Sequence, residues 1–121
     1  MERNERGAGT VLAAGVAMAM LLLTSLVLGL GQAAVAAGRA ATAADLSALA
    51  AADVHRGLAT GNACQVAANV AAQHRAQLRE CTLAADLSVQ VTVAVATALP
   101  WPATGMARAG PPPDSALPGG P

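Results

Sequence analysis

Apolar residues run without interruption near the start of the chain. From Gly7 to Gly38, thirty-two residues pass without one charged side chain. A helix of about 20 apolar residues crosses the hydrocarbon core of a bilayer, and residues 11–30 supply that length. Because backbone polar groups inside lipid must pair within their own segment, we expect a transmembrane helix there. Residues 1–10 then form a short N-terminal flank.

A helical pattern continues beyond this span. Alanine, the best helix former, dominates residues 31–60, and apolar residues recur there at steps of three and four. An unbroken helix over 11–59 would be about 74 Å long at 1.5 Å per residue, which exceeds one bilayer crossing. Its second half is therefore expected outside the membrane. The predicted apolar stripe of this half is Ala43, Leu46, Ala50, Val54 and Leu58, with Asp45, Ala52 and Arg56 on the opposite side.

A second, shorter helix is predicted after a break at residues 60–62. Gly61 suits the C-cap of the first helix and Asn62 the N-cap of the next one. The second helix covers about 63–78. Its predicted apolar stripe is Ala63, Val66, Ala67, Val70, Ala71 and Leu78.

The period then changes from helical to alternating. Residues 87–95 alternate leucine and valine with serine, glutamine, threonine and alanine, which predicts a strand. Residues 80–83 can pair with it through a turn at 84–86, Pro100 and Pro102 end it, and 104–109 supply a third strand. The predicted fold class is α+β, with a long N-terminal transmembrane helix that continues outside the membrane and a small helix-plus-sheet module at 61–110. Residues 111–121, rich in proline and glycine, are expected to be disordered.

Composition limits the chemistry of the folded part. Trp101 is the only aromatic residue, and most of the 55% hydrophobic content is alanine, which buries little area per residue. Neither a G-x-S-x-G elbow nor a glycine-rich phosphate loop occurs. We therefore expect no enzyme activity and no cofactor. The formal net charge is zero, so no basic surface for nucleic acid is expected either.

Cys64 and Cys81, the only cysteines, are predicted to form a disulfide. Small exported modules often need such a staple, and a loop of this size is worth about 3 kcal/mol on chain-entropy grounds. Bridged Cα atoms lie about 4.4–6.8 Å apart, so the second helix must end early, near 72–77. Two buried free thiols are the alternative. A zinc site with His55 and His74 is disfavoured because no closely spaced ligand pair occurs. His55 is expected to be exposed, and His74 to lie on the apolar stripe with its ring tip in solvent.

Two fates of the N-terminal segment stay open. The arginines on the two sides of this segment are equal in number, so the positive-inside rule does not decide its orientation. The cysteines favour a single-pass protein of the cell membrane with its N-terminus in the cytoplasm, because disulfides persist outside the cytosol. Alternatively, Ala34-Val35-Ala36 is a signal-peptidase-like site, and cleavage there would release a secreted, disulfide-bonded binding module. The apolar run is about twice as long as an h-region of about 7–15 residues, which favours retention.

Small residues follow one side of the predicted membrane helix. Gly9, Ala13 and Ala17 stand at four-residue steps. Such ridges allow helices to pack closely in a bilayer. The ridge therefore predicts contact with partner subunits or assembly with a second copy.

Five segments, in this order, carry a resemblance to a known family. They are Arg6–Thr10 leading into the apolar helix, Ala40–Ala52, the cysteines at 64 and 81, the alternating strand Val89–Val95, and Arg108–Pro111. The chain resembles the TadE-like minor pilins of Tad (Flp-type) pilus and secretion loci, in particular a short actinobacterial branch. The resemblance implies a non-enzymatic, pilin-like membrane protein whose partners are membrane lipid and other pilin-like or Tad secretion subunits.

One position departs from the pattern of that family. Pilin-like precursors usually carry a glutamate five residues after their peptidase site, inside the apolar helix. Cleavage after Gly7 or Gly9 would put Leu12 or Ala14 at that position. This departure favours an accessory subunit that is retained in the membrane.

Overall fold

The computed structural model describes residues 2–112, with their side chains from Arg6 onwards. Helix α1 (Glu2–His55) and helix α2 (Ala63–Gln73) are followed by strands β1 (Gln77–Leu83), β2 (Val89–Val95) and β3 (Ala103–Ala109). The strands form one antiparallel sheet in the order β1-β2-β3. The predicted α+β class and element order are confirmed. Most of the tail that was expected to be disordered, residues 113–121, lies outside the described residues.

The chain divides into two compact units between Ala34 and Val35. The described part of the first unit is the N-terminal part of helix α1, up to Ala34. Its large apolar side chains from Val11 to Leu30 are between 47% and 73% exposed. The helix is long and apolar enough to cross a membrane, and none of its most apolar stretch is buried. The first unit is therefore a candidate membrane span.

Valine and alanine make the core of the second unit. Strand β2 alternates as predicted, with valines facing the helices and Gln90 facing solvent. Helix α2 contributes a stripe of alanines at four-residue steps. Helix α1 contributes one face of small residues. The side chains that these three elements bury between the helices and the sheet are Val89, Val91, Val93 and Val95 of β2, Ala63, Ala67 and Ala71 of α2, and Ala40, Ala43, Ala44, Ser47, Ala48, Ala51 and Ala52 of α1.

The buried face of α1 differs from the predicted stripe. Leu46 and Leu58 are 39% and 68% exposed, whereas Ala52, expected on the opposite side, is buried. The reason is a close approach of the helix to strand β3. A Cβ added at Gly105 would lie 2.5 Å from the carbonyl carbon of Ala40. Only small side chains fit between backbones this close, so the leucines are directed away from the sheet.

Helix α1 ends earlier than expected, at His55. The backbone N–H of Leu58 donates to the carbonyl of Asp53 (2.8 Å) and that of Gly57 to Val54 (3.0 Å). Gly57 has a φ of +81°, so this is a Schellman motif with glycine in the left-handed region. The C-cap glycine is therefore Gly57 and not Gly61.

Helix α2 begins as predicted and ends early. The side chain of Asn62 accepts a hydrogen bond from the backbone N–H of Gln65 (3.1 Å), which confirms it as the N-cap. The helix ends at Gln73 and turns through Arg75, which has a φ of +58°. Leu78, expected on the helical stripe, therefore lies in β1.

Strand β2 begins at Val89, two residues later than predicted. Leu87 has a φ of +66° and is 45% exposed. Its backbone N–H donates to the carbonyl of Ala84 (3.2 Å), within the turn that joins β1 to β2. The third strand is confirmed as β3, and its register pairs Val93 of β2 with Gly105.

Candidate interaction surface

Cys64 and Cys81 form the predicted disulfide. Their Cα atoms are 5.8 Å apart, and no free cysteine remains. Cys64 lies in the first turn of α2 and Cys81 in β1, so the bridge ties this helix to the sheet. Both sulfur atoms are bonded to each other and neither is a thiolate that could bind zinc. Among the described residues, no group of three histidine, cysteine, aspartate or glutamate side chains is arranged to hold a metal ion.

Each of the two histidines lies at the C-terminal end of a helix. His55 is half-buried and not simply exposed, and its Nε2 lies 2.9 Å from the carbonyl oxygen of Ala84. A proton on Nε2 therefore donates to this oxygen and joins the end of α1 to the β1–β2 turn. His74 is the C-cap residue of α2 and is half-buried.

The predicted ridge of Gly9, Ala13 and Ala17 lies on the apolar part of α1. All three residues are exposed. A Cβ added at Gly9 would meet no other described atom within 4 Å. The surface is therefore open to a helix from another molecule, and its role in packing stays a prediction.

A polar cluster fixes the β1–β2 turn to strand β3. Asp86 accepts hydrogen bonds from the hydroxyl and the backbone N–H of Ser88, and Arg108 donates to both side chains. The hydrogen bonds from Ser88, and then the charge of Arg108, hold the pKa of Asp86 below its ordinary value. The contribution of this carboxylate to stability is therefore fully present above the ordinary carboxyl pKa and is lost progressively as the pH falls from there through the lowered pKa. This is the one ion pair among the described side chains, those of residues 6–112, and it occupies Arg108.

A loop at residues 96–102 covers part of the outer face of the sheet. Along the outward side of β2, Gln90 is exposed, Thr92 is half-buried and Ala94 is only 4% exposed. The hydroxyl of Thr97 donates to the carbonyl of Trp101 (2.7 Å) and accepts from the backbone N–H of Leu99 (3.1 Å). These bonds give the loop a defined shape in which Trp101 is 63% exposed.

A groove of about 340 Å³ lies between this loop and the start of β1. Leu99, Trp101 and Pro102 form its apolar side; Arg75, Gln77 and Arg79 form its polar side. We call it the Trp101 groove. The guanidinium groups of its two arginines have no hydrogen-bond or ion-pair partner within the described part of the chain.

Two local irregularities supply the arginines of the groove. Arg75 is the left-handed residue that ends α2. Arg79 lies in a β-bulge between Leu78 and Glu80, and an extra residue of this kind re-aims side chains out of the regular alternation. The Trp101 groove is not predicted from the sequence, where Pro100 and Pro102 serve only to end a strand. The signal that was present is a lone tryptophan between two prolines.

No protein-family model, no curated protein and no solved structure matches this chain.

Proposed function

We propose that this protein is a non-enzymatic, membrane-anchored, pilin-like subunit or accessory protein of the TadE-like kind, in a Tad/Flp-type pilus or secretion system. The observation that carries the proposal is helix α1. Its first part is apolar and unburied, and residues 40–52 supply one layer of a disulfide-bonded α+β core. A single helix that serves as anchor and as core element suits a small subunit presented at a membrane surface.

The proposed orientation has the N-terminus in the cytoplasm and the folded module outside the cell. Disulfides persist in oxidising compartments and are rare in the cytosol. The Cys64–Cys81 bridge supports an exported module for this reason. Membrane lipid is then the first partner, in contact with the apolar side chains of residues 11–30.

Exposed apolar side chains on the module support contact with neighbouring subunits. Leu46 and Leu49 on α1 are 39% and 56% exposed, and Leu58 just beyond its end is 68% exposed. Leu46 and Leu49 stand three residues apart on the helix, so their side chains lie on the same side of α1 and can contact a partner together. Together with the ridge of Gly9, Ala13 and Ala17, they offer contact surfaces for other pilin-like subunits or for a second copy.

A secreted binding module, released by cleavage near Ala36, is the second candidate. One observation favours it: Ala34-Val35-Ala36 lies where the two compact units divide. The fully buried residues of the core begin at Ala40, so cleavage after Ala36 would leave all of them in the released part. Retention is still favoured, because the apolar run is about twice the length of an h-region.

Fractionation of cells that produce the full chain distinguishes the two candidates. We expect the protein in the membrane fraction, resistant to alkaline extraction, with an intact mass that includes residues 11–30. The physical reason is the length of the uncharged helix, which suffices to span the bilayer. A mature N-terminus at Ala37 in the soluble fraction would contradict the anchored subunit and support the secreted module.

Site-specific crosslinking extends the same experiment to partners. A photoreactive side chain at Leu49 should crosslink, in native membranes, to pilin-like subunits or to a second copy. The same group at Thr82, an exposed residue of β1 on the other side of the module, is the matched control and should crosslink less. Equal yields at both positions would contradict a subunit interface on α1.

A further inference from the structure

The Trp101 groove lies at the end of the second unit where helix α1 enters it. Ala40 of α1 lies against Gly105 in the first half of β3, and the groove loop, residues 96–102, comes directly before this strand. At the other end of the sheet, the ring of His55 contacts the β1–β2 turn. The groove is therefore at the end of the second unit that follows the apolar part of α1 in sequence.

Chain length holds this end near any membrane that α1 spans. Ala36 already packs against the core of the second unit, and residue 30 ends the predicted span. The six residues between them extend over about 20 Å at most. A surface tethered in this way meets the lipid at a high effective concentration, so a weak affinity is enough for contact.

Positive charge is in excess at the groove end. Arg39, Arg75 and Arg79 are exposed, and none of them has an ion-pair partner among the described side chains. Residues 94–104 contain no charged side chain, and the nearest acid in sequence is Glu80, next to Arg79. Guanidinium groups bind phosphate oxygens through paired, charge-assisted hydrogen bonds. This end is therefore complementary in charge to the phosphates of a lipid surface.

Trp101 adds an apolar contact that suits the headgroup region. Its side chain is 63% exposed, and Leu99 in the same loop is also exposed. The hydrogen bonds of Thr97 fix the shape of this loop. The indole N–H has no partner among the described residues. Tryptophan is enriched at membrane–water interfaces because its ring is apolar while its N–H can donate to polar groups.

We propose that the Trp101 groove docks on the lipid surface from which α1 emerges, with Arg75 and Arg79 bound to lipid phosphates and Trp101 among the headgroups. The inference rests on the proposed membrane anchoring of α1. It adds a second contact with the membrane, which restricts the orientations of the module at the bilayer.

Quenching by lipid gives a direct test, because Trp101 is the only tryptophan and the chain has no tyrosine. The full chain is reconstituted in vesicles of phosphatidylcholine and phosphatidylglycerol, in which part of the lipid carries bromine on the acyl chains close to the headgroup. We expect the brominated lipid to quench Trp101. Omission of phosphatidylglycerol, or high salt, should reduce this quenching, because the attraction of arginine to an anionic surface is screened by salt.

Point variants test the role of the charges. Arg75→Gln and Arg79→Gln should each lower the ratio of docked to undocked module about 5-fold, the value for one arginine at an anionic surface. Arg56→Gln is the matched control, because Arg56 is exposed just beyond the other end of α1, and it should leave quenching by lipid unchanged. An Arg79→Gln variant that is quenched like the unaltered chain would contradict the contact.

Flotation of the same vesicles separates this inference from the proposed anchoring. A chain that floats and resists alkaline extraction, but whose Trp101 is not quenched by brominated lipid, would overturn the docking and leave the anchor in place. A chain that does not float would overturn both. Inorganic phosphate should leave the emission of the full chain in neutral detergent micelles unchanged, and a shift would assign the groove to a soluble anion instead. A shift that grows with protein density, without quenching by lipid, would assign the groove to a second copy and overturn the lipid contact.

Discussion

Ser47 and Ser88 are the two buried polar side chains in the described part of the molecule, with exposures of 0% and 5%. The hydroxyl of Ser88 donates to Asp86 and accepts from Arg108. The Oγ of Ser47, on the buried face of α1, has no hydrogen-bond partner. A buried hydroxyl without a partner costs about 1–3 kcal/mol. The two serines therefore affect the free energy of unfolding in opposite directions.

Replacing Ser47 with alanine should stabilise the module by about 1 kcal/mol, because it removes the unpaired hydroxyl and alanine is the better helix former. Ser88→Ala is the matched control and should destabilise by a similar amount, since Asp86 and Arg108 lose a partner. Hydrogen exchange of the β2 amides in the full chain measures both changes. Faster exchange in Ser47→Ala would show that this hydroxyl has a favourable partner after all.

At the scale of elements, the closeness of α1 and the sheet organises the core. Strand β3 presents Ala103, Gly105, Ala107 and Ala109 to the inner side, and each is half-buried. Small residues on both the helix and this strand allow their backbones to approach, while the valines of β2 fill the deeper space beside them. Such close packing leaves little room for a larger side chain between α1 and β3.

The same closeness explains what the sequence could and could not predict about the elements. Periodicity was sufficient for α1, α2 and β2, because the alternation of residues 89–95 and the helical steps of α2 are local properties. Strands β1 and β3 were predicted from their positions on either side of β2 and not from a period of their own. The face that α1 buries is not local, since it depends on the surface the helix meets. Leu46 is more hydrophobic than Ala44, but the approach at Gly105 leaves room only for alanine. Glycine inside a predicted strand was the available signal, because it often marks a close backbone approach.

Gly105→Ala should destabilise the module by about 1–3 kcal/mol, the usual cost of overpacking. Its Cβ would lie 2.5 Å from the carbonyl carbon of Ala40 and 2.9 Å from the nitrogen of Ala41, which are backbone atoms. Gly38→Ala is the matched control on α1, where an added Cβ meets nothing within 4 Å. It should stabilise by up to about 1 kcal/mol through helix propensity. Thermal unfolding by circular dichroism compares them, and an unchanged midpoint for Gly105→Ala would mean that α1 can move away at no cost.

For the molecule as a whole, stability rests on a second unit whose core is mostly alanine. Of the fifteen hydrophobic residues that are buried in the described part of the chain, eleven are alanine and four are valine. Each alanine removes little apolar area from water, so this core is weak for its size. The sequence predicted both this weakness and the disulfide that compensates for it, since they follow from composition and cysteine count. It did not predict the Trp101 groove, because a helix end and a β-bulge create it.

Breaking the Cys64–Cys81 bridge should therefore cost the module about 3 kcal/mol, the value expected for a loop of this length. For a domain of this size, that loss lowers the unfolding midpoint by about 15 °C. The measurement is thermal unfolding of the full chain with and without a phosphine reductant, after alkylation has shown that both thiols are unlabelled in the oxidised protein. A Cys64→Ala/Cys81→Ala variant is the control, because the reductant should not change its midpoint. If reduction leaves the midpoint of the unaltered chain in place, the alanine core is sufficient by itself. The bridge would then have no structural purpose, and the proposed orientation would lose the physical reason for which an exported module needs it.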